Sequence, residues 1–107
     1  MKDLGAIMKQ AQAMQARLAE AQEKVAALTV VGSAGGGAVK VTMSGTNALT
    51  RVEIDPDVVD PQDAETLADL IVAAHADARR QIEAQQQSLM AEAAGPMAGM
   101  NIPGLKF

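Results

Sequence analysis

Four basic side chains near the start of the chain are the residues best placed to do chemistry, and that chemistry is the binding of anions. Lys2, Lys9, Arg17 and Lys24 recur every seven or eight residues. On a helix turning roughly 100° per residue they fall within about 80° of one another, a single basic edge that phosphates could track. Glu20 lies three residues after Arg17 and four before Lys24, so an internal ion pair competes for both. Lys2 and Lys9 have no acid at such a spacing. Those two, with the terminal amine, therefore rank above Arg17 and Lys24 as phosphate contacts.

Other chemistries find less support. The chain has no Cys, hence no thiolate nucleophile, disulfide or cysteine metal site, in keeping with a reducing cytoplasm. Gly35-Gly36-Gly37 is followed by Ala38 and Val39, where a phosphate loop of the Walker type requires Lys and Ser or Thr, so a hairpin turn accounts for it. His75 is the single histidine and lies beside an apolar stripe, which favours packing or a surface position over metal binding. The acids from Asp55 to Asp69 lack the calcium-loop spacing with its central Gly and read as helix caps and solubilising groups. Arg79 and Arg80 have Asp77 and Glu83 within three or four residues to neutralise them. No nucleophile, base and orienting group can be named together, so the expectation is a protein that binds and is not an enzyme.

The elements that must carry these residues follow from the periods in the sequence. Over residues 3 to 28, Leu4, Ala11, Leu18 and Val25 interleave with Ile7, Met14, Ala21 and Leu28, all at sevens, which is a heptad seam on one long helix. At 1.5 Å per residue that helix runs to about 39 Å, more than a compact domain of this size needs, so part of it is expected to project. From Thr29 to Asp55 the period is two. Val39, Val41 and Met43 alternate with Lys40, Thr42 and Ser44, and Val52 and Ile54 alternate with Arg51 and Glu53. Turns at Gly35-Gly36-Gly37 and Gly45-Thr46-Asn47 divide the stretch into a three-stranded antiparallel meander. Two-residue turns would pair Val30 with Val41, Gly32 with Val39, Val39 with Val52 and Val41 with Thr50, and would set Lys40 beside Arg51. Such a like-charge pair needs an anion or a carboxylate nearby, which makes Lys40 and Arg51 a second candidate anion site; Glu53, diagonal to Lys40 in this register, is the local alternative. A second long helix is expected to start at Asp60-Pro61-Gln62-Asp63, with Asp60 as its cap. It carries Leu67, Ile71, Ala74, Ala78, Ile82 and Leu89 as its stripe and stops before Gly95-Pro96.

The architecture is thus α+β in the order α-β-β-β-α, with residues 1–94 as one domain and 95–107 as a Gly/Pro-rich apolar tail, disordered or irregularly docked. With 107 residues, no Trp or Tyr and Phe107 as the single aromatic, the core must be built from Ala, Val, Leu, Ile and Met. Small side chains bury little area, and at roughly 25 cal/mol per Å² a lone copy would be marginal, so oligomerisation is expected. No run approaches the roughly eighteen apolar residues of a membrane span, and no signal peptide is apparent, so a soluble intracellular protein is expected.

Three segments in order, MKDLGAIMKQAQAMQ, GGGAVKVTMSG and RVEIDP, resemble the hallmark segments of the YbaB/EbfC family of bacterial nucleoid-associated proteins, and the resemblance spans nearly the whole chain. It implies a tweezer-shaped homodimer with protruding helices that binds double-stranded DNA at the nucleoid and affects nucleoid organisation or gene expression. Bulk charge runs the other way, since the net charge is -4. The distribution partly restores the case: residues 55 to 77 hold seven acids and no Lys or Arg, while the basic edge lies on the first helix. Contacts mainly to phosphates, with little base readout, are the expectation, through Lys2, Lys9, Arg17 and Lys24 with Lys40 and Arg51 as the secondary site. The alternative is a protein-interaction module in which the heptad helix, the acidic surface and the apolar tail recruit a protein partner. No cofactor, metal, small-molecule substrate or membrane is expected.

Overall fold

The computed structural model describes residues 3–95; Lys2 and the tail from Pro96 onward, with the readings made for them, lie outside the described residues. The order is α1 (Leu4–Ala26), β1 (Thr29–Ala34), β2 (Val39–Ser44), β3 (Leu49–Ile54), a short 3-10 turn (Pro56–Val58) and α2 (Ala64–Ala94). The strands form one antiparallel sheet in the order β1-β2-β3, so the α-β-β-β-α reading holds.

The register differs from the expected one by two residues at both hairpins. Gly32 pairs with Val41, not Val39, and Val39 pairs with Ile54, not Val52. The cause is turn length. Ala34 pairs with Val39, which leaves residues 35–38 as a four-residue connection whose three glycines all take positive φ, +65°, +68° and +96°. The second turn runs from Ser44 to Ala48, with a register shift between Thr42 and Met43. A slip of two preserves side-chain direction, so the apolar residues still share one face. It does change cross-strand neighbours: Lys40 stands opposite Glu53, and Arg51 stands opposite Thr42, so the expected Lys40/Arg51 juxtaposition does not occur.

That apolar face packs on α2. Val30, Val39, Val41 and Met43 from the sheet meet Ala74, Ala78 and Ile82 from the helix to form the core. Small helix residues let the two layers come close, and Gly32 is where they come closest: a Cβ there would collide with the Ala74 carbonyl oxygen and lie 2.5 Å from the Ala78 nitrogen. The helix begins later than expected. Asp60 accepts a bond from the Gln62 amide (2.9 Å) and closes a turn, while Asp63 caps α2 by accepting from the Thr66 amide (3.3 Å) and hydroxyl (2.6 Å).

The heptad seam of α1 is covered over half its length. Ala21 and Val25 are buried and Met14, Leu18 and Leu28 half-buried, but Leu4 and Ile7 are 59% and 58% exposed. The radius of gyration is 20.3 Å and the extents 74 × 27 × 16 Å. A compact domain of similar length has a radius of about 13 Å, so the molecule is drawn out, as the long first helix led one to expect.

Candidate nucleic-acid interface

Three of the four cations, Lys9, Arg17 and Lys24, lie on α1 and differ in what surrounds them. Lys9 is exposed and makes no ion pair among the described residues. Lys24 lies 3.7 Å from Glu20, the i,i+4 partner anticipated from the spacing. Arg17 does not pair with Glu20. Its guanidinium stands at the end of α2, close enough that a Cβ on Gly95 would come within 3.0 Å of it. The last turn of α2 contains no basic residue, so Arg17 supplies a cation near the negative end of that helix from across the interhelical contact. Arg17, Glu20 and Lys24 share a shallow groove with Leu89 and Glu92 of α2, which puts two carboxylates beside the two cations of the packed half.

Lys40 and Arg51 lie on the sheet face turned away from α2 and are not part of that edge. Arg51 Nε pairs with Glu53 Oε1 at 2.8 Å, and Glu53 is also the cross-strand neighbour of Lys40. The carboxylate that a phosphate would have to displace is therefore already in place. The remaining charged groups follow their spacing: Arg79 pairs with Glu83 at 3.3 Å and Arg80 with Asp77 at 3.5 Å. Asp55 caps the 3-10 turn, accepting from the Asp57 amide at 2.9 Å. Among the described residues no three His, Asp or Glu side chains are grouped to hold a metal, and no helix is long and apolar enough to cross a membrane.

Sequence reasoning missed an apolar surface. Leu49, Val52 and Ile54 pair with Met43, Val41 and Val39 and continue the inner face of the sheet, yet they are 47%, 39% and 36% exposed. The alternation of β3 looks like that of a covered strand. What it could not reveal is that α2 lies over β1 and β2 and stops short of the third strand.

Comparison with known proteins bears on the family and the fold. Residues 1–97 match the YbaB/EbfC DNA-binding family. The chain is 58% identical, over the full length of both, to a nucleoid-associated protein of Caulobacter sp. strain K31. It is 52% identical to a nucleoid-associated protein of Mycobacterium sp. strain KMS, over 96% of this chain and 94% of that one. An uncharacterized protein from Helicobacter pylori shares the fold, with a TM-score of 0.71 over 87% of this chain and 98% of that one at 22% identity.

Proposed function

The chain belongs to the YbaB/EbfC DNA-binding family, and on that premise we propose that it binds duplex DNA as a homodimer, mainly through phosphates with little base readout. In doing so it affects nucleoid organisation or gene expression, acting in the cytoplasm at the nucleoid. The observation that carries the phosphate reading is the contrast at Lys9, an exposed cation without an ion pair among the described residues, on the part of α1 that α2 leaves uncovered. Lys2, seven residues before Lys9 in the sequence, joins it on sequence grounds alone. Arg17 and Lys24, already facing a helix end and a carboxylate, contribute less.

Leu49, Val52 and Ile54 support the dimer, because they extend the core face of the sheet into solvent and a second copy can cover them. Each copy carries a net charge of -4, which a dimer doubles, so binding is modest and weakens steeply with salt. If Lys2 and Lys9 of both copies are engaged, the log-log salt slope is about -4.

Fluorescence anisotropy of a labelled random-sequence duplex, titrated at several salt concentrations, tests this. Saturable, salt-sensitive binding that is lost in Lys2→Glu/Lys9→Glu while sedimentation still reports a dimer is the expected result. Absence of binding at low salt overturns it. A second reading, recruitment of a protein partner, is favoured by Leu4, Ile7 and Met8, each nearly three-fifths exposed on the same arm.

A further inference from the structure

A strand at the edge of a sheet offers unpaired backbone groups to any other strand, and this sheet has two such edges. They are treated differently. On β1, the Val31 carbonyl accepts a hydrogen bond from Gln81 Nε2 at 2.8 Å, and the Ser33 amide donates to Asp77 Oδ2 at 3.0 Å. The two helix side chains are also joined to each other, Gln81 Nε2 to Asp77 Oδ2 at 3.4 Å, and the second Asp77 oxygen faces Arg80 at 3.5 Å. Val31 and Ser33 are residues of β1 whose backbone groups point away from β2: the Gly45 amide donates to the Leu28 carbonyl, and alternation from that pair makes the even-numbered residues of β1 the ones that bond to β2. On β3, no hydrogen bond from another element reaches the outer edge among the described residues.

The arrangement depends on close approach. Asp77 and Gln81 are four apart and so share one side of α2, next to the buried Ala74, Ala78 and Ile82. They reach around the strand because Gly32, lying between the two clamped residues, lets α2 sit against the backbone of β1. The strand itself needs the protection. Thr29–Ala34 reads TVVGSA, with no charge and no proline, so it lacks the devices that usually keep an edge solitary. β3, by contrast, carries Arg51 and Glu53.

We infer that Asp77 and Gln81 form a clamp that closes the β1 edge against strand addition by a second copy of this chain, confining assembly to the β3 side. Confinement to β3 rests on the dimer reading above; closure of β1 does not. An incoming strand must satisfy the Val31 carbonyl and the Ser33 amide, and both already have partners, one of them an ionised carboxylate that makes the stronger kind of hydrogen bond.

The test is sedimentation velocity of the full chain over a range of concentrations for wild type, Asp77→Ala/Gln81→Ala, and that pair with Ser33→Pro. Proline removes the outward N–H that strand addition would use and is tolerated on an edge. Wild type is expected to hold a constant mass, whereas the double variant at least doubles its mean mass as concentration rises about tenfold. Ser33→Pro is expected to return it to the wild-type size. Constant mass in the double variant, with faster hydrogen exchange at Ser33 showing that the edge has opened, overturns the clamp, and so does growth that survives Ser33→Pro. Should the double variant unfold, Asp77→Ala alone decides on the same two criteria, because it is the single change that removes the partner of the Ser33 amide. A monomeric wild type would sink the dimer reading while leaving the comparison between variants intact.

Discussion

Residues 14–26 and residues 4–13 of α1 carry the same heptad pattern, but only the first group has its seam withdrawn from solvent. In the packed half, Ala21 and Val25 are buried, Lys24 pairs with Glu20, and Arg17 faces the end of α2. In the open half Leu4, Ile7 and Met8 are exposed, and Lys9 makes no ion pair among the described residues. One helix thus serves two purposes that its pattern does not separate: packing neutralises cations along with burying apolar groups, and a cation stays available where packing stops. If this division is right, substitutions in the packed half register in stability and those in the open half in binding.

The largest effect should come from Val25→Asp. Burying a carboxylate at a position only 8% exposed is expected to cost about 3 kcal/mol or more in urea unfolding. A loss below about 1 kcal/mol would mean that the packed half does not anchor α1. Lys9→Glu should leave the unfolding midpoint where it is and weaken duplex binding at low salt about tenfold, a difference of about 1.4 kcal/mol. Equal loss of stability and binding would erase the contrast between the halves. Glu20→Gln sharpens it by freeing Lys24, and a two- to threefold gain in DNA affinity is the rough expectation, with stability changed by less than about 0.5 kcal/mol because both groups are largely exposed. Smallest of all should be Ile7→Ser, within about 0.5 kcal/mol of wild type by thermal unfolding, since the side chain has little cover to lose.

What could be read from the sequence was whatever depends on neighbours along the chain. The change of period from seven to two and back located the helices and strands, and the alternation through Val39, Val41 and Met43 identified the buried face. The i,i+4 partner of Lys24 was visible for the same reason. The register was missed because three successive left-handed glycines make a longer turn than two residues, and the α2 cap because Asp60 and Asp63 are equally good cap types until their hydrogen bonds are known. The position of Arg17 at the end of α2 and the bare face of β3 are tertiary facts: each depends on where α2 lies and ends, and no local pattern in α1 or β3 records that.

The extents of the molecule also bear on how it would sit on a duplex. B-form DNA advances about 34 Å per helical turn, so a body 74 Å long laid along the axis spans about two turns, whereas laid across it, 27 Å wide, it spans less than one. If one copy of the dimer lies on the duplex, nuclease footprints of about 20 base pairs, as against fewer than 10, tell these orientations apart and set how densely the protein can coat DNA.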